Sequence, residues 1–320
     1  MFHPTLNKLS VAILSAGLLA LAGAAHAAAP MAKTQAPGYF RLMLGNFEVT
    51  AVSDGTVDLP VDQWLSQPPA KTQQTLAAAF LSVPMEMSVN AYLINTGSKL
   101  VLIDAGAAGL FGPTLGKLLA NLKAAGYDAS QIDEVYISHM HPDHVGGLLA
   151  DGKVAFPNAL VRADKRESDF WLSEANKAKA PAAIKGFFDG AMGAMGPYLA
   201  AKKFSPFSGD TELVPGIRAT SSYGHTPGHT VYEVESEGKK LVLIGDLIHV
   251  AAVQLPKPGV TINVDTDAKA AAQARAKAFT RAANSKVLVG ASHFQFPGLG
   301  YLRAEGTHYQ WTPVNYTRMR

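Results

Sequence analysis

Cysteine is absent from all 320 residues. No disulfide can staple the chain, and any metal site must be built from histidine and carboxylate alone. Charge is sparse as well, at 17% of residues, and nearly balanced: 28 Lys and Arg face 25 Asp and Glu, a formal net charge of +3. The basic residues are scattered, which excludes an electropositive surface for nucleic acid. Long apolar runs are missing beyond residue 24, so no membrane span is expected in the remainder.

The one apolar run, residues 11–24, follows Lys8 and precedes Ala25-His26-Ala27. A positive start, a short apolar stretch and an A-x-A site read as a secretory signal peptide over residues 1–27, without a twin-arginine pair. The mature chain is therefore expected in the periplasm or outside the cell. Residues 28–320 then form a single domain, whose core is supplied by the 48% hydrophobic content of the chain.

What is present is concentrated in His139-Met140-His141-Pro142-Asp143-His144, with Gly146 and Gly147 behind it. A strand predicted over 134–138 ends there, so four metal-competent side chains crowd one loop at a sheet edge. Three further strand ends carry similar chemistry: Gly224-His225-Thr226-Pro227-Gly228-His229, Gly245-Asp246 and Ser292-His293. In a layered fold such ends converge, and that shared placement is stronger than any single loop.

Around these loops, alternation predicts hairpins over 39–54 about Gly45-Asn46 and over 89–104 about Thr96-Gly97-Ser98. Residues 60–84 read as a loop with a short helix over 72–81 and an exposed Trp64, placed to act as a lid. Leu115, Leu118, Leu119 and Leu122 share one helical face, so a helix is predicted over 113–126. Strands follow at 159–162, 217–222, 231–235, 241–246 and 286–289, with a second long helix over 265–284. Between 164 and 207 lies a helical excursion with Phe170, Trp171, Phe187, Phe188, Met192 and Met195, a spacing that suits core packing and a wall over the site. The order of elements before the excursion resembles the order after it, which suggests two halves facing each other in an αβ/βα sandwich.

The series H-x-H-x-D-H, H-T-P-G-H, G-D and a late His resembles the metallo-β-lactamase superfamily. Residues 105–113, Asp169-Phe170-Trp171-Leu172-Ser173 and Arg303-Ala304-Glu305-Gly306 are similar to its methyl parathion hydrolase branch, secreted dinuclear organophosphate hydrolases with lactone-hydrolysing relatives. The resemblance implies an α/β protein with the superfamily's four-layer sandwich. It implies one metal held by His139, His141 and His225, a second by Asp143, His144 and His293, and Asp246 bridging both, with His229 in a supporting role. Zinc is the expected ion; manganese, cobalt and iron accept the same donors. A hydroxide between cations roughly 3.5 to 4 Å apart is the expected nucleophile, with catalytic roles for Asp246, Asp143 and His249. A homodimer is implied too.

Asp104, at a strand end, reads equally as a turn residue or as the carboxylate that supports a ligand histidine. His249 departs from the branch, which has an aliphatic residue there, and from acyl homoserine lactonases, which have a tyrosine. It reads either as a donor to an oxyanion or as an ordinary pocket or surface histidine. Phe111, Trp171 and Phe188 are expected at the substrate entrance, and Trp64 is expected to affect substrate size. The expected substrates are aryl phosphotriesters, with lactones or aryl esters as the alternative. A mononuclear iron oxidoreductase and a non-catalytic metal-binding protein are the readings from other classes. The carboxylate of flavo-diiron relatives is replaced by His141, which favours hydrolysis.

Overall fold

The computed structural model describes residues 29–317 and 319, so the expected signal peptide lies outside the described residues. The body that carries the site runs from Pro37 to Arg320. Its first sheet is built from β1 (Tyr39–Leu44), β2 (Phe47–Leu59), β3 (Met85–Asn95), β4 (Leu100–Ile103), β5 (Glu134–Tyr136) and β6 (Leu160–Arg162), in that spatial order. Strands β7 (Thr211–Val214), β8 (Ile217–Ser221), β9 (Thr230–Ser236), β10 (Lys239–Leu243), β11 (Leu288–Gly290), β12 (Leu299–Glu305) and β13 (His308–Pro313) form the second, again in sequence order.

Side chains alternate between the two faces of each sheet, and both faces are apolar. Tyr92, Ile94, Val101, Ile103 and Tyr136 turn inward and pack against Tyr232, Val234, Leu241 and Leu243 of the other sheet. Tyr136 and Tyr232 stack at 5.7 Å, and the Tyr232 hydroxyl donates to the Ile137 carbonyl at 2.8 Å, which ties the sheets at the site edge. Leu93, Leu102, Val135 and Val161 face outward and are covered by helices, among them α3 (Leu118–Ala124), α4 (Pro142–Val145), α5 (Lys165–Trp171) and α7 (Ala182–Ala200). Three shorter helices join these segments: α1 (Val61–Trp64), α2 (Pro69–Ala78) and α6 (Glu174–Lys179). Phe279 and Ala282 of α9 (Ala268–Ser285) cover Val231 and Val289 on the far side, beside α8 (Ala251–Gln254). The result is the expected α/β sandwich of four layers. Among the described residues no helix is long and apolar enough to cross a membrane.

Several element boundaries differ from those expected. The helix expected over 113–126 begins only at Leu118. Gly116 has φ +82°, a left-handed conformation that interrupts a helix, and the buried Asp54 carboxylate draws in the amides of Ala107, Gly116 and Leu118 at 2.9 to 3.1 Å. The helix expected from 265 begins at Ala268, capped by Asp267, because Asp265 is engaged elsewhere. β12 and β13 are an additional hairpin. Trp64, expected to be exposed, is half-buried against Leu59, Val61, Leu76 and Val250.

Arg275 of α9 is completely buried. It donates to the carbonyls of Leu247, Pro258 and Val260, and so holds the loop that carries His249. Arg275→Met leaves the buried Leu247 carbonyl and the part-buried Pro258 carbonyl without a donor, at about 1–3 kcal/mol each when nothing replaces it, while Val260 keeps Gln254 Nε2 at 3.0 Å. Urea denaturation is therefore expected to show a loss of about 2 kcal/mol or more.

Candidate metal centre

Four of the clustered imidazoles, those of His139, His144, His225 and His293, are oriented through Nδ1, which turns their Nε2 atoms toward one another. Asp104 ends β4 at φ +60°. Its carboxylate accepts the Ser138 amide at 2.7 Å and the Ser138 hydroxyl at 2.8 Å, and lies 2.9 Å from His144 Nδ1. Both readings of Asp104 hold at once: it makes the turn, and it directs His144 Nε2 inward. Ser138 Oγ lies 3.1 Å from His139 Nδ1, which aims His139 Nε2 the same way.

In the second sheet's loops, His225 Nδ1 lies 2.8 Å from Asp265 Oδ1, whose other oxygen accepts the Ile262 amide at 3.1 Å. His225 Nε2 then faces His141 Nδ1 at 3.2 Å. His293 Nδ1 donates to the Ser88 carbonyl at 2.9 Å, and its Nε2 lies 3.0 Å from Asp246 Oδ2. His229 points elsewhere: its Nε2 accepts the Asp246 backbone amide at 3.1 Å, a supporting role.

Asp246 stands where these side chains meet. Its Oδ2 lies 3.6 Å from His139 Nε2 and 3.5 Å from His225 Nε2, while Oδ1 lies 3.3 Å from His144 Nε2. The donor atoms of His139, His141, His225 and Asp246 fall within 4.8 Å of one another, and so do those of Asp143, His144 and His293. All seven residues singled out by motif are thus gathered into two adjacent groups with Asp246 between them. His139 Nε2, His144 Nε2 and Asp246 Oδ1 are buried without a hydrogen-bond partner, a costly arrangement that cations at these groups would relieve. Nitrogen and carboxylate donors in this number fit two divalent ions.

Burial, then neighbouring imidazolium charge, pushes His139 and His141 well below the usual histidine range, so both are neutral. Burial opposes charge on His144 too, but Asp246, Asp143 and Asp104 override it and hold that pKa well above the usual value. At His225 burial is outweighed by Asp246 and Asp265, and the pKa rises to about 9. Without metal, this His225 pairing contributes stability that is complete below about pH 6.5 and lost as pH rises through about 9. The same proton must leave before Nε2 binds a cation. Metal loading at pH 7 is accordingly expected to release protons, chiefly from His225 and His144. Calorimetry in buffers of different ionisation enthalpy reads this; a heat independent of buffer would refute it.

His249 is not a surface histidine. It is 4% exposed, its Nε2 lies 3.1 Å from Asp246 Oδ2, and its ring stacks on His293 at 5.2 Å. Gln254 Oε1 accepts the amides of His249 and Val250, both at 2.9 Å, and fixes the backbone there. A cavity of about 120 Å³ opens beside His249 and His293, walled by Leu81, Met85, Ala251 and Ala252. A larger groove of about 1450 Å³ along β9, β10 and α9 contains none of the clustered donors.

The aromatic residues need correction. Phe188, expected at the entrance, is fully buried in the core against Trp171 and Phe170 at 4.6 and 5.4 Å. Its neighbour Phe187 is the residue that meets the His141 ring, at 5.0 Å, and Phe111, at 6.2 Å. Trp171 is buried beneath His141, with ring centroids 5.2 Å apart, and packs on that ring from within the core. Trp64 belongs to the cluster under α2. Sequence reasoning missed Phe187 as a site residue, along with Asp265 and Glu167. A signal for Glu167 was available: it shares a helical face with Trp171, where a carboxylate among aromatics is out of place.

The sequence profile described as Metallo-beta-lactamase superfamily matches residues 85–290. The chain belongs to the metallo-beta-lactamase superfamily. Within it, the chain is similar to a solved structure named hydrolase AbOPH in beta lactamase superfamily, with 34% identity, a TM-score of 0.84, and coverage of 89% of this chain and 100% of the other. It is also similar to AidC, a dizinc quorum-quenching lactonase solved with a product N-hexanoyl-L-homoserine, at 27% identity, TM-score 0.79, and coverage of 88% and 99%. N-acyl homoserine lactonase AiiA of Bacillus thuringiensis subsp. kurstaki is 26% identical over 179 residues, 50% of this chain. The chain spans only 63% of the length of that curated relative. The superfamily match stops at residue 290, three short of His293, which the folded strand end brings to the other donors.

Proposed function

We propose that this superfamily member is a dinuclear metallohydrolase that opens lactones. The observation that carries the reading is His249, a buried imidazole whose Nε2 faces the spot shared by both donor groups. His139, His141 and His225 would hold one ion, Asp143, His144 and His293 the other, with Asp246 between them, and zinc suits these donors. When bound, the ions supply Lewis acidity and lower the pKa of water toward 7. The chain's own contribution is orientation and charge. Asp104, Asp265 and the Ser88 carbonyl hold three imidazoles by Nδ1, and the buried Met140 and Trp171 close the core side of the site. Burial holds His249 below the usual histidine range even though Asp246 opposes the shift. It is therefore neutral at pH 7 and can donate Nε2–H to an oxygen on which negative charge develops. Lactonases among the similar proteins support this substrate class.

The phosphotriester reading expected from the sequence keeps one observation of its own. Phe187 and Phe111 meet at 6.2 Å beside His141 and offer an aryl leaving group an apolar wall. The test is purified protein loaded with Zn, Mn or Co, assayed on N-hexanoyl homoserine lactone, dihydrocoumarin and methyl paraoxon, with metal content measured on the same samples. About two metals per chain with fastest lactone opening supports the proposal, whereas fastest paraoxon turnover replaces it with the phosphotriester reading. Export and a homodimer complete the proposal; mass spectrometry of the secreted chain and its hydrodynamic size test them.

A further inference from the structure

Glu167, in the first turn of α5, is fully buried, and neither motif contains it. Its Oε1 accepts the amide of Met140 at 2.8 Å, and its Oε2 accepts the amide of Gly228 at 2.8 Å. Met140 stands between His139 and His141, and Gly228 stands between His225 and His229. One carboxylate therefore joins two loops that come from different sheets and are nearly ninety residues apart. The approach is close: a Cβ on Gly228 would lie 2.4 Å from the Glu167 nitrogen, so the loop carries glycine there. α5 is itself anchored, since Asp164 caps it through the Arg166 amide at 2.8 Å and accepts the Tyr223 hydroxyl and Gly209 amide, both at 3.0 Å. One turn after Glu167, Trp171 packs on the His141 ring. No hydrogen bond links Glu167 to Asp143, His144 or His293 among the described residues.

We infer that Glu167 is a positioning residue that clasps the two histidine loops together and thereby sets the metal affinity of the His139–His141–His225 group, which draws on both loops, more than that of the Asp143–His144–His293 group, which draws on only one of them. This rests on the dinuclear reading given above. Two backbone donors approaching from two loops require two acceptor oxygens, which a carboxylate has and a carboxamide does not. Glu167→Gln keeps the shape and satisfies one loop, while its NH2 opposes the other amide. Glu167→Ala releases both.

The experiment measures metal content and chelator competition for the full-length protein loaded with Co, following the cobalt absorption spectrum. Wild type is expected to hold two ions. Glu167→Gln is expected to weaken one of them about 10–100-fold, the range seen when groups that orient ligands are removed, and to weaken the other by clearly less. Glu167→Ala weakens the same ion further. In a His225→Ala background, where that group is already broken, Glu167→Gln adds nothing; in a His293→Ala background it has its full effect. Equal weakening of both ions, or of neither, overturns the inference while leaving the dinuclear reading in place. Folding is monitored by near-UV circular dichroism, and a Gln variant that loses native structure along with both ions counts as equal weakening. A wild-type chain that holds no metal overturns both.

Discussion

Asp246→Asn is expected to lower turnover of lactones and phosphotriesters alike by about three orders of magnitude, some 4 kcal/mol of barrier. The reason lies in where this carboxylate stands. Its two oxygens face His139, His144, His225, His249 and His293 at 3.0 to 3.6 Å, and it is 2% exposed. Burial alone would raise its pKa, but the surrounding histidines, His293 foremost, hold it well below the usual carboxylate range. It is thus held as an anion among these imidazoles. Asparagine keeps the volume and removes the charge that both donor groups share. Metal content should fall from about two ions per chain to one or fewer, while the Asp246 amide bond to His229 survives because it involves only the backbone. Steady-state rates and metal analysis on the same preparation check this. Wild-type metal content with undiminished turnover would remove Asp246 from the centre of the site.

The second large effect concerns His249→Ile, which should lower lactone turnover about 100-fold, the loss associated with removing one oxyanion donor, and change phosphotriester turnover by less than tenfold. Isoleucine fills a similar space but cannot donate. Attack on a lactone would place negative charge on its carbonyl oxygen, which a fixed donor stabilises, before the ring C–O bond breaks and the charge passes to the departing alkoxide, whereas a phosphotriester's aryl leaving group would rely on fit beside Phe187 and Phe111. The effect should fall on kcat more than KM, since the interaction strengthens only as charge develops. Burial holds the His249 pKa below the usual histidine range, so the ring is neutral at pH 7 and above. An unchanged ratio of lactone to phosphotriester rates in the variant would dismiss His249 as the discriminating residue.

Much of the metal centre was legible because its donors are local in sequence. His139, His141, Asp143 and His144 sit on one strand-to-helix turn, and His225, Asp246 and His293 each follow a short strand with recognisable alternation. What could not be read was anything set by partners distant in the chain. The leucines at 115, 118, 119 and 122 have true helical spacing, yet Asp54 captures the amides of Gly116 and Leu118 and delays the helix. Asp265 looked like a helix start and serves His225 instead. Phe187 and Phe188 are adjacent on α7, which is apolar on most of its surface, so periodicity could not decide which of them faces His141. Asp104 needed coordinates because both of its readings were correct.

The supports described for the donors differ in kind from those of Phe187 and Phe111, the wall proposed for substrate. Asp104, Asp265, Ser138 and the Ser88 carbonyl are hydrogen-bonded to the imidazoles and belong to the strand-end framework. Phe187 and Phe111 are held by packing alone, on a helix and a loop outside that framework. Phe111 can therefore be exchanged with little effect on the donors, whereas a change at Phe187 also alters the packing on His141. A laboratory library belongs on residues 109–111 and 185–187, which are exposed or half-buried, where new substrate ranges can be sampled while the buried Ala107 and Phe188 stay in place.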